Sequence, residues 1–219
     1  MKNQESPTKS NNGKITASRI EVSILGMLGG FISIEHGIFE VLQGNIPTNG
    51  ILINAIAPGH WYWKEGGELA MTFIPNFLIT GIVAIIIGIF TIIWSIGFVH
   101  RKFGALGLFT LTILTLLFGG GIAFFILGIL ISIIATRINS SLMWWENHLP
   151  SKIKKFLSKL WFPIFTVSVI IFIFLVLGGI FGVWFLDPNN ATTLLSYIGL
   201  ISIGLIIFAF LCGFAYDIN

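Results

Sequence analysis

The chain has 219 residues, of which 55% are hydrophobic and only 10% charged, and its net charge is +3 at pH 7. Soluble domains carry about 25% charged residues, so this composition excludes an ordinary water-soluble domain. The basic residues are scattered along the chain instead of forming one patch, which argues against a nucleic acid partner. We expect an all-α, multi-pass helical bundle in the cell membrane, because a helix satisfies its backbone hydrogen bonds within one segment.

The predicted elements begin with a polar segment, residues 1–19, which lacks apolar periodicity and is expected to be a disordered cytoplasmic tail. Residues 20–219 are expected to form one transmembrane domain. Six apolar runs follow one another, and each is interpreted as a membrane-spanning helix. Their expected ranges are 20–43, 71–99, 103–118, 122–136, 162–185 and 193–216.

The third and fourth spans are separated by three glycines, Gly119 to Gly121. Glycines disfavour a helix interior and permit positive φ, so a turn is predicted there. With six crossings and a cytoplasmic N terminus, every Lys and Arg except Lys64 falls on the cytoplasmic side. The positive-inside rule therefore favours six spans, with both termini in the cytoplasm.

The first span carries one polar face lined with small residues. Its members are Ser33, His36, Glu40 and Gln43, with Gly26, Gly29, Gly37 and Gly44. Polar side chains facing lipid would be unsatisfied, and glycines permit close backbone approach, so this face is predicted to pack on another helix. The second span offers a matching ridge at every fourth residue: Thr72, Asn76, Thr80, Ala84 and Gly88.

The expected contact between these two spans forms a polar pocket in the outer half of the membrane. Because the helices are antiparallel, equal depth from their outer ends places Glu40 near Asn76 and His36 near Thr80. The long loop of residues 44–69 is expected to fold over the pocket. The candidate residues for ligand or ion binding are therefore Glu35, His36, Glu40, Gln43, Asn76, Thr80 and His60.

Three interpretations of His36 and Glu40 compete, because one helical turn brings an imidazole within reach of a carboxylate. In the first, the pair is a structural lock, meaning that its buried hydrogen bonds fix how the helices pack. In the second, it binds an ion, a proton or a small polar ligand, and in the third it acts in catalysis. No catalytic residue is singled out, and no metal or other cofactor is expected, since catalytic zinc needs three protein ligands. Glu35 projects from the apolar side near mid-membrane, where burial in the bundle or proton binding is expected.

Residues 151–161 are predicted to form a separate amphipathic helix at the membrane interface, between spans four and five. One face carries Lys152, Lys154, Lys155 and Lys159, and the opposite face is apolar. Trp144 and Trp145 precede this segment. Anionic lipids at the cytoplasmic face are the expected partner, and docking of a cytoplasmic protein is the alternative.

The expected function is binding, transport or sensing of a small solute or ion through the polar pocket. The first alternative is a structural or assembly subunit of a membrane complex, and the second is a membrane-embedded enzyme using His36 and Glu40. A homo-oligomer or a membrane-complex partner is expected for a small carrier, because alternating access normally requires two moving bundles.

Overall fold

The computed structural model describes residues 15–56, 68–181 and 188–219, and helices dominate it. One antiparallel hairpin, β1 (Leu52–Ile56) and β2 (Glu68–Met71), lies between the first two helices. The predicted disordered tail falls outside the described residues as far as residue 14. The helices are α1 (Ala17–Gln43), α2 (Phe77–Gly97), α3 (Gly104–Leu117), α4 (Ile122–Ala135), α5 (Met143–His148), α6 (Ser151–Phe181) and α7 (Pro188–Asp217).

Four of these helices are long and apolar enough to cross a membrane. They are α1, α2, α6 as far as Leu177, and α7 from Ser196. This length and composition indicate a helical membrane protein. The helices α3 and α4 have 14 residues each, fewer than the ~20 that a hydrocarbon layer requires. Six crossings therefore stay a prediction.

The central helix is α1, which packs most extensively on α2 and also contacts α4, α6 and α7. Glycines make the contact with α2 close. A methyl group added at Gly37 would lie 2.5 Å from the carbonyl oxygen of Gly81, and one added at Gly81 would lie 2.5 Å from that of Gly37. Gly30 and Gly88 repeat this reciprocal contact at 2.6 Å. The predicted close contact between these two helices is observed, but of the predicted glycines only Gly37 and Gly88 take part in these reciprocal contacts, whereas Gly29 packs against α4.

The two ends of the described chain are joined at the start of α1. The Thr16 hydroxyl accepts a hydrogen bond from the Arg19 N–H at 3.2 Å. The Asp217 carboxylate, at the end of α7, accepts from the N–H groups of Ala17 and Ser18 at 2.6 and 3.1 Å. These bonds satisfy N–H groups that have no partner within the helix. Because of this cap, α1 begins at Ala17 instead of the predicted Ile20.

The second span differs from its prediction at its start. Met71 belongs to β2, Thr72 bridges to Phe118, and α2 begins only at Phe77. Pro75 therefore precedes the helix and does not lie within it. The Asn76 side chain caps α2 by accepting from the Ile79 N–H at 3.1 Å. A short apolar run is compatible with strand or helix, and here the asparagine cap sets the boundary.

The predicted break at the three glycines is confirmed, since α3 ends at Leu117 and α4 begins at Ile122. Gly119 and Gly121 have φ angles of 87° and 90°, which residues with a Cβ rarely adopt. The Gly119 N–H donates to the Met71 carbonyl oxygen at 2.9 Å, so this turn is fixed against β2. We call Gly119 to Gly121 the glycine turn, and the end of the bundle formed by this turn and the two strands the hairpin end.

The basic segment before the fifth predicted span continues directly into that span. Residues 151–161 are helical, but α6 runs unbroken from Ser151 to Phe181, so a separate interfacial helix is not observed. Pro163 lies inside α6, where it removes one hydrogen bond without ending the helix. Trp144 and Trp145 belong to α5; Trp144 is exposed, whereas Trp145 lies against Phe214.

The Lys and Arg residues that the structure describes lie at the end of the bundle opposite the hairpin end. We call this opposite end the basic end. The Asn139 amide donates to the His100 carbonyl oxygen at 2.8 Å, joining the segment after α4 to the turn after α2. The Trp161 indole donates to Glu21 at 2.9 Å, joining α6 to α1. This one-sided arrangement is typical of the cytoplasmic end of membrane proteins. The residues are Arg19, Arg101, Lys102, Arg137, Lys152, Lys154, Lys155 and Lys159.

Candidate functional site

The polar face of α1 is buried between α2 and the glycine turn. Ser33, His36 and Glu40 are 0%, 2% and 0% exposed. The Ser33 hydroxyl donates to the Ala84 carbonyl oxygen of α2 at 2.9 Å. A methyl group added at Gly120 would lie 2.7 Å from the same hydroxyl oxygen. The structure therefore encloses three of the side chains that helical spacing placed on one face.

The alignment of α1 with α2 differs from the predicted one by about one helical turn. Glu40 lies beside Thr80, the residue expected to face His36. The Asn76 amide donates instead to Asn45 at 2.7 Å. The Thr80 and Thr72 hydroxyl oxygens lie 2.7 Å apart and share a hydrogen bond. The predicted pairing of Glu40 with Asn76 is wrong because α2 begins after Asn76, whose side chain is used at the helix cap.

Both ring nitrogens of His36 face hydrogen-bond acceptors. Nδ1 lies 3.0 Å from the Ile32 carbonyl oxygen, and Nε2 lies 3.1 Å from Oε2 of Glu68. A carbonyl oxygen only accepts, so Nδ1 carries a hydrogen. A neutral imidazole has a single N–H, so the contact at Nε2 requires one more proton, on the ring or on the Glu68 carboxyl. The His36–Glu68 pair therefore holds an exchangeable proton.

Glu40 is a fully buried carboxylate whose oxygens are unsatisfied. Neither oxygen has a hydrogen bond of acceptable geometry in the part of the chain that the structure describes. A methyl group added at Gly119 would lie 2.5 Å from both oxygens, and one added at Gly121 would lie 2.8 Å from Nε2 of His36. The glycine turn thus lies directly on both side chains. An isolated ionised carboxylate is strongly disfavoured there, so Glu40 is suited to hold a proton or another cation.

The other predicted site residues have different positions. The Gln43 amide donates to the carbonyl oxygens of Asn54 and Ala55 at 3.0 and 2.8 Å, so Gln43 anchors β1 on α1. Glu35 is partly buried and lies close enough to His36 and Glu68 to interact with their charges. His60 lies outside the described residues.

Glu68 is the outermost member of the cluster, with a side chain that is 42% exposed at the start of β2. Burial raises the pKa of this carboxyl, but the hydrogen bond and the charge of His36 outweigh burial, so the pKa lies below its usual value. Glu68 is therefore ionised at neutral pH.

Glu68→Gln is expected to lower the free energy of unfolding by less than about 1 kcal/mol at neutral pH, because solvent screens a half-exposed ion pair. Since its folded pKa is lowered, ionised Glu68 stabilises the protein above the usual pKa of 4.5. This contribution is lost as the pH falls through the folded pKa. Melting temperatures of the two proteins in detergent should therefore converge at acid pH, whereas a difference that persists there would argue against the pair.

The glycine turn was not expected to cover His36 and Glu40, and Glu21, a second buried acid, was missed. Glu68 was expected in the external loop that covers the pocket, but not in a strand that brings it to His36. Glu21 is 0% exposed, accepts the Trp161 N–H at one oxygen, and has no partner in the described residues at the other. An acid one turn inside an apolar helix is the signal that could have identified Glu21.

The chemistry available at this cluster is that of carboxyl and imidazole groups, which hold and exchange protons. Over residues 15–56, 68–181 and 188–219, no three His, Cys, Asp or Glu side chains are grouped so that they could hold a metal ion. No protein-family model matches the chain, and no curated protein or solved structure matches it significantly.

Proposed function

We propose that this membrane protein binds a proton, or a small cation in its place, at Glu40 and exchanges it with the hairpin end through His36 and Glu68. The observation that carries the proposal is the Glu40 carboxylate, which is 0% exposed and has two unpartnered oxygens among the described residues. Ionisable groups inside membrane helices are costly and commonly mark ion pathways or proton relays. Transport or sensing of a small ion is the function that fits such a site.

The route for exchange consists of groups that are progressively less exposed. The Glu68 side chain is 42% exposed, and those of His36 and Glu40 are 2% and 0% exposed. An imidazole gains and loses protons near neutral pH. A proton from the hairpin end would pass from Glu68 to Nε2 of His36. The ring would then have to turn this nitrogen away from Glu68 to pass the proton to Glu40, one helical turn further along α1.

The proposed topology has six crossings, with the basic end and both termini in the cytoplasm. It is supported by the position of the described Lys and Arg residues at one end. The short helices α3 and α4 would reach only as far as the glycine turn, which is hydrogen-bonded to β2. The β hairpin would then cover the outer ends of α3 and α4, which makes 14 residues sufficient for each.

A structural lock between α1 and the glycine turn is the second candidate function of the cluster. The close packing of Gly119 and Gly121 on the side chains of Glu40 and His36 favours it. In this case the buried polar groups specify how the helices pack and exchange no ion.

Infrared difference spectroscopy of the reconstituted protein as a function of pH tests proton binding. A protonated carboxyl has a carbonyl band that the carboxylate lacks, so titration of Glu40 should remove one such band at alkaline pH. Glu40→Gln should abolish this band. Glu146→Gln, the same change at an exposed residue of α5, should keep it, and a titrating band that survives in both variants would overturn the assignment to Glu40.

Proton flux into liposomes under an imposed membrane potential separates transport from the structural lock. Flux that Glu40→Gln abolishes and Glu146→Gln retains would support transport. If the folded wild-type protein shows neither proton flux nor a pH-dependent change in protease protection, the structural lock between α1 and the glycine turn is favoured.

A further inference from the structure

A groove of about 260 Å³ lies between α1 and α6 toward the basic end. Ile20 and Ile24 form its α1 wall, and residues of α6 form the other wall. Phe162 and Ile170 line it and are 68% and 59% exposed. The groove therefore opens away from the bundle, and apart from Thr166 its lining consists of apolar and aromatic side chains.

Trp161 closes the groove on the side of the bundle and is held firmly in place. Its indole N–H donates to the buried carboxylate of Glu21 at 2.9 Å. Its ring packs against Phe165 and Tyr216, with centroid separations of 6.4 and 4.6 Å. A wall fixed by a buried hydrogen bond and by aromatic contacts resists collapse into the adjacent space.

Two lysines continue the line of the groove toward the basic end. Lys155, Lys159, Phe162 and Thr166 follow one another at helical spacing, so they share one face of α6. Both lysines are exposed. This face is cationic at the start of α6 and apolar along the groove, which matches an anionic headgroup followed by a hydrocarbon chain.

We propose that the groove binds one anionic phospholipid, with an acyl chain between α1 and α6 and the phosphate at Lys155 and Lys159. The groove offers water few hydrogen-bond partners, so hydrocarbon is the favoured occupant of a space that opens from membrane-crossing helices. Attraction by two lysines predicts about thirtyfold tighter binding than that of a zwitterionic lipid with the same acyl chains.

Native mass spectrometry of the intact protein in detergent measures this preference, with phosphatidylglycerol and phosphatidylcholine of identical chains as the two probes. We expect one phosphatidylglycerol to bind about thirtyfold more tightly. The double variant Lys155→Gln, Lys159→Gln should bring the affinity ratio close to unity. The double variant Arg101→Gln, Lys102→Gln removes the same charge from the same end and should leave the ratio unchanged.

Substitutions at Thr166 test the groove itself. Thr166→Trp places an indole in the space of the acyl chain and should weaken the binding of both lipids, and Thr166→Leu is the milder variant if the larger side chain prevents folding. Equal affinity of the wild-type protein for the two lipids would overturn the proposal, as would equal losses in the two charge variants. Tight binding that survives both Thr166 variants would place the lipid elsewhere.

Discussion

Replacing Gly81 with alanine is expected to lower the free energy of unfolding by about 2–3 kcal/mol, the upper part of the usual range for overpacking a tight contact. The added methyl group would lie 2.5 Å from the Gly37 carbonyl oxygen and 2.8 Å from the backbone nitrogen of Val41. Backbone atoms cannot rotate away as a flexible side chain can, so α1 and α2 must separate. Separation would also weaken the contact between Gly30 and Gly88, because both glycine pairs belong to one interface.

Gly97→Ala is the matched control for Gly81→Ala, because nothing lies within 4 Å of the methyl group that it would add to the same helix. Gly97 is the last residue of α2, where the preference of a helix for alanine over glycine is smaller than the ~1 kcal/mol of a helix interior, so this control should be close to neutral. In detergent, Gly81→Ala should melt roughly 5–10 °C below the wild-type protein. Equal melting temperatures for the two variants would contradict a close backbone contact at Gly81.

The features that depend on residues near one another in the chain could be predicted from the sequence. Ser33, His36 and Glu40 were correctly placed on a face that packs against other segments, because the spacing along a single helix determines that face. The break between α3 and α4 follows from the conformational freedom of Gly119 to Gly121. Neither inference required knowledge of the rest of the fold.

Contacts between distant segments could not be inferred in the same way. β2 becomes a strand by pairing with β1, and this pairing places Glu68 beside His36. The apolar residues before Pro75 are compatible with helix or strand. The predicted start of α2 was therefore several residues too early, and the predicted alignment of α2 with Glu40 was wrong as well. The bond between Glu21 and Trp161 joins residues 140 positions apart, which no local pattern indicates.

Glu40→Gln is expected to stabilise the protein at alkaline pH, by an amount that grows as the pH rises. A buried carboxyl with unpartnered oxygens keeps its proton in the folded state, whereas the same group in the unfolded chain ionises at pH 4.5, its usual pKa. Above that pH the folded state binds more protons, so stability falls by up to about 1.4 kcal/mol per pH unit. Glutamine has nearly the same shape and cannot ionise, so the variant lacks this slope.

Thermal unfolding in detergent between about pH 5 and pH 8 measures the slope, with Glu146→Gln as the control at an exposed carboxylate. As the pH rises, the free energies of unfolding of the wild type and the control should fall together. At the upper end of the pH range, that of Glu40→Gln should be about 2–4 kcal/mol higher than theirs. Parallel curves of stability against pH for all three proteins would show that Glu40 is ionised in the folded protein. A buried carboxylate can be ionised only with a positive charge beside it, here a bound cation or the His36 imidazolium. Glu40 would then be a fixed member of an ion pair, and proton exchange would be confined to His36 and Glu68.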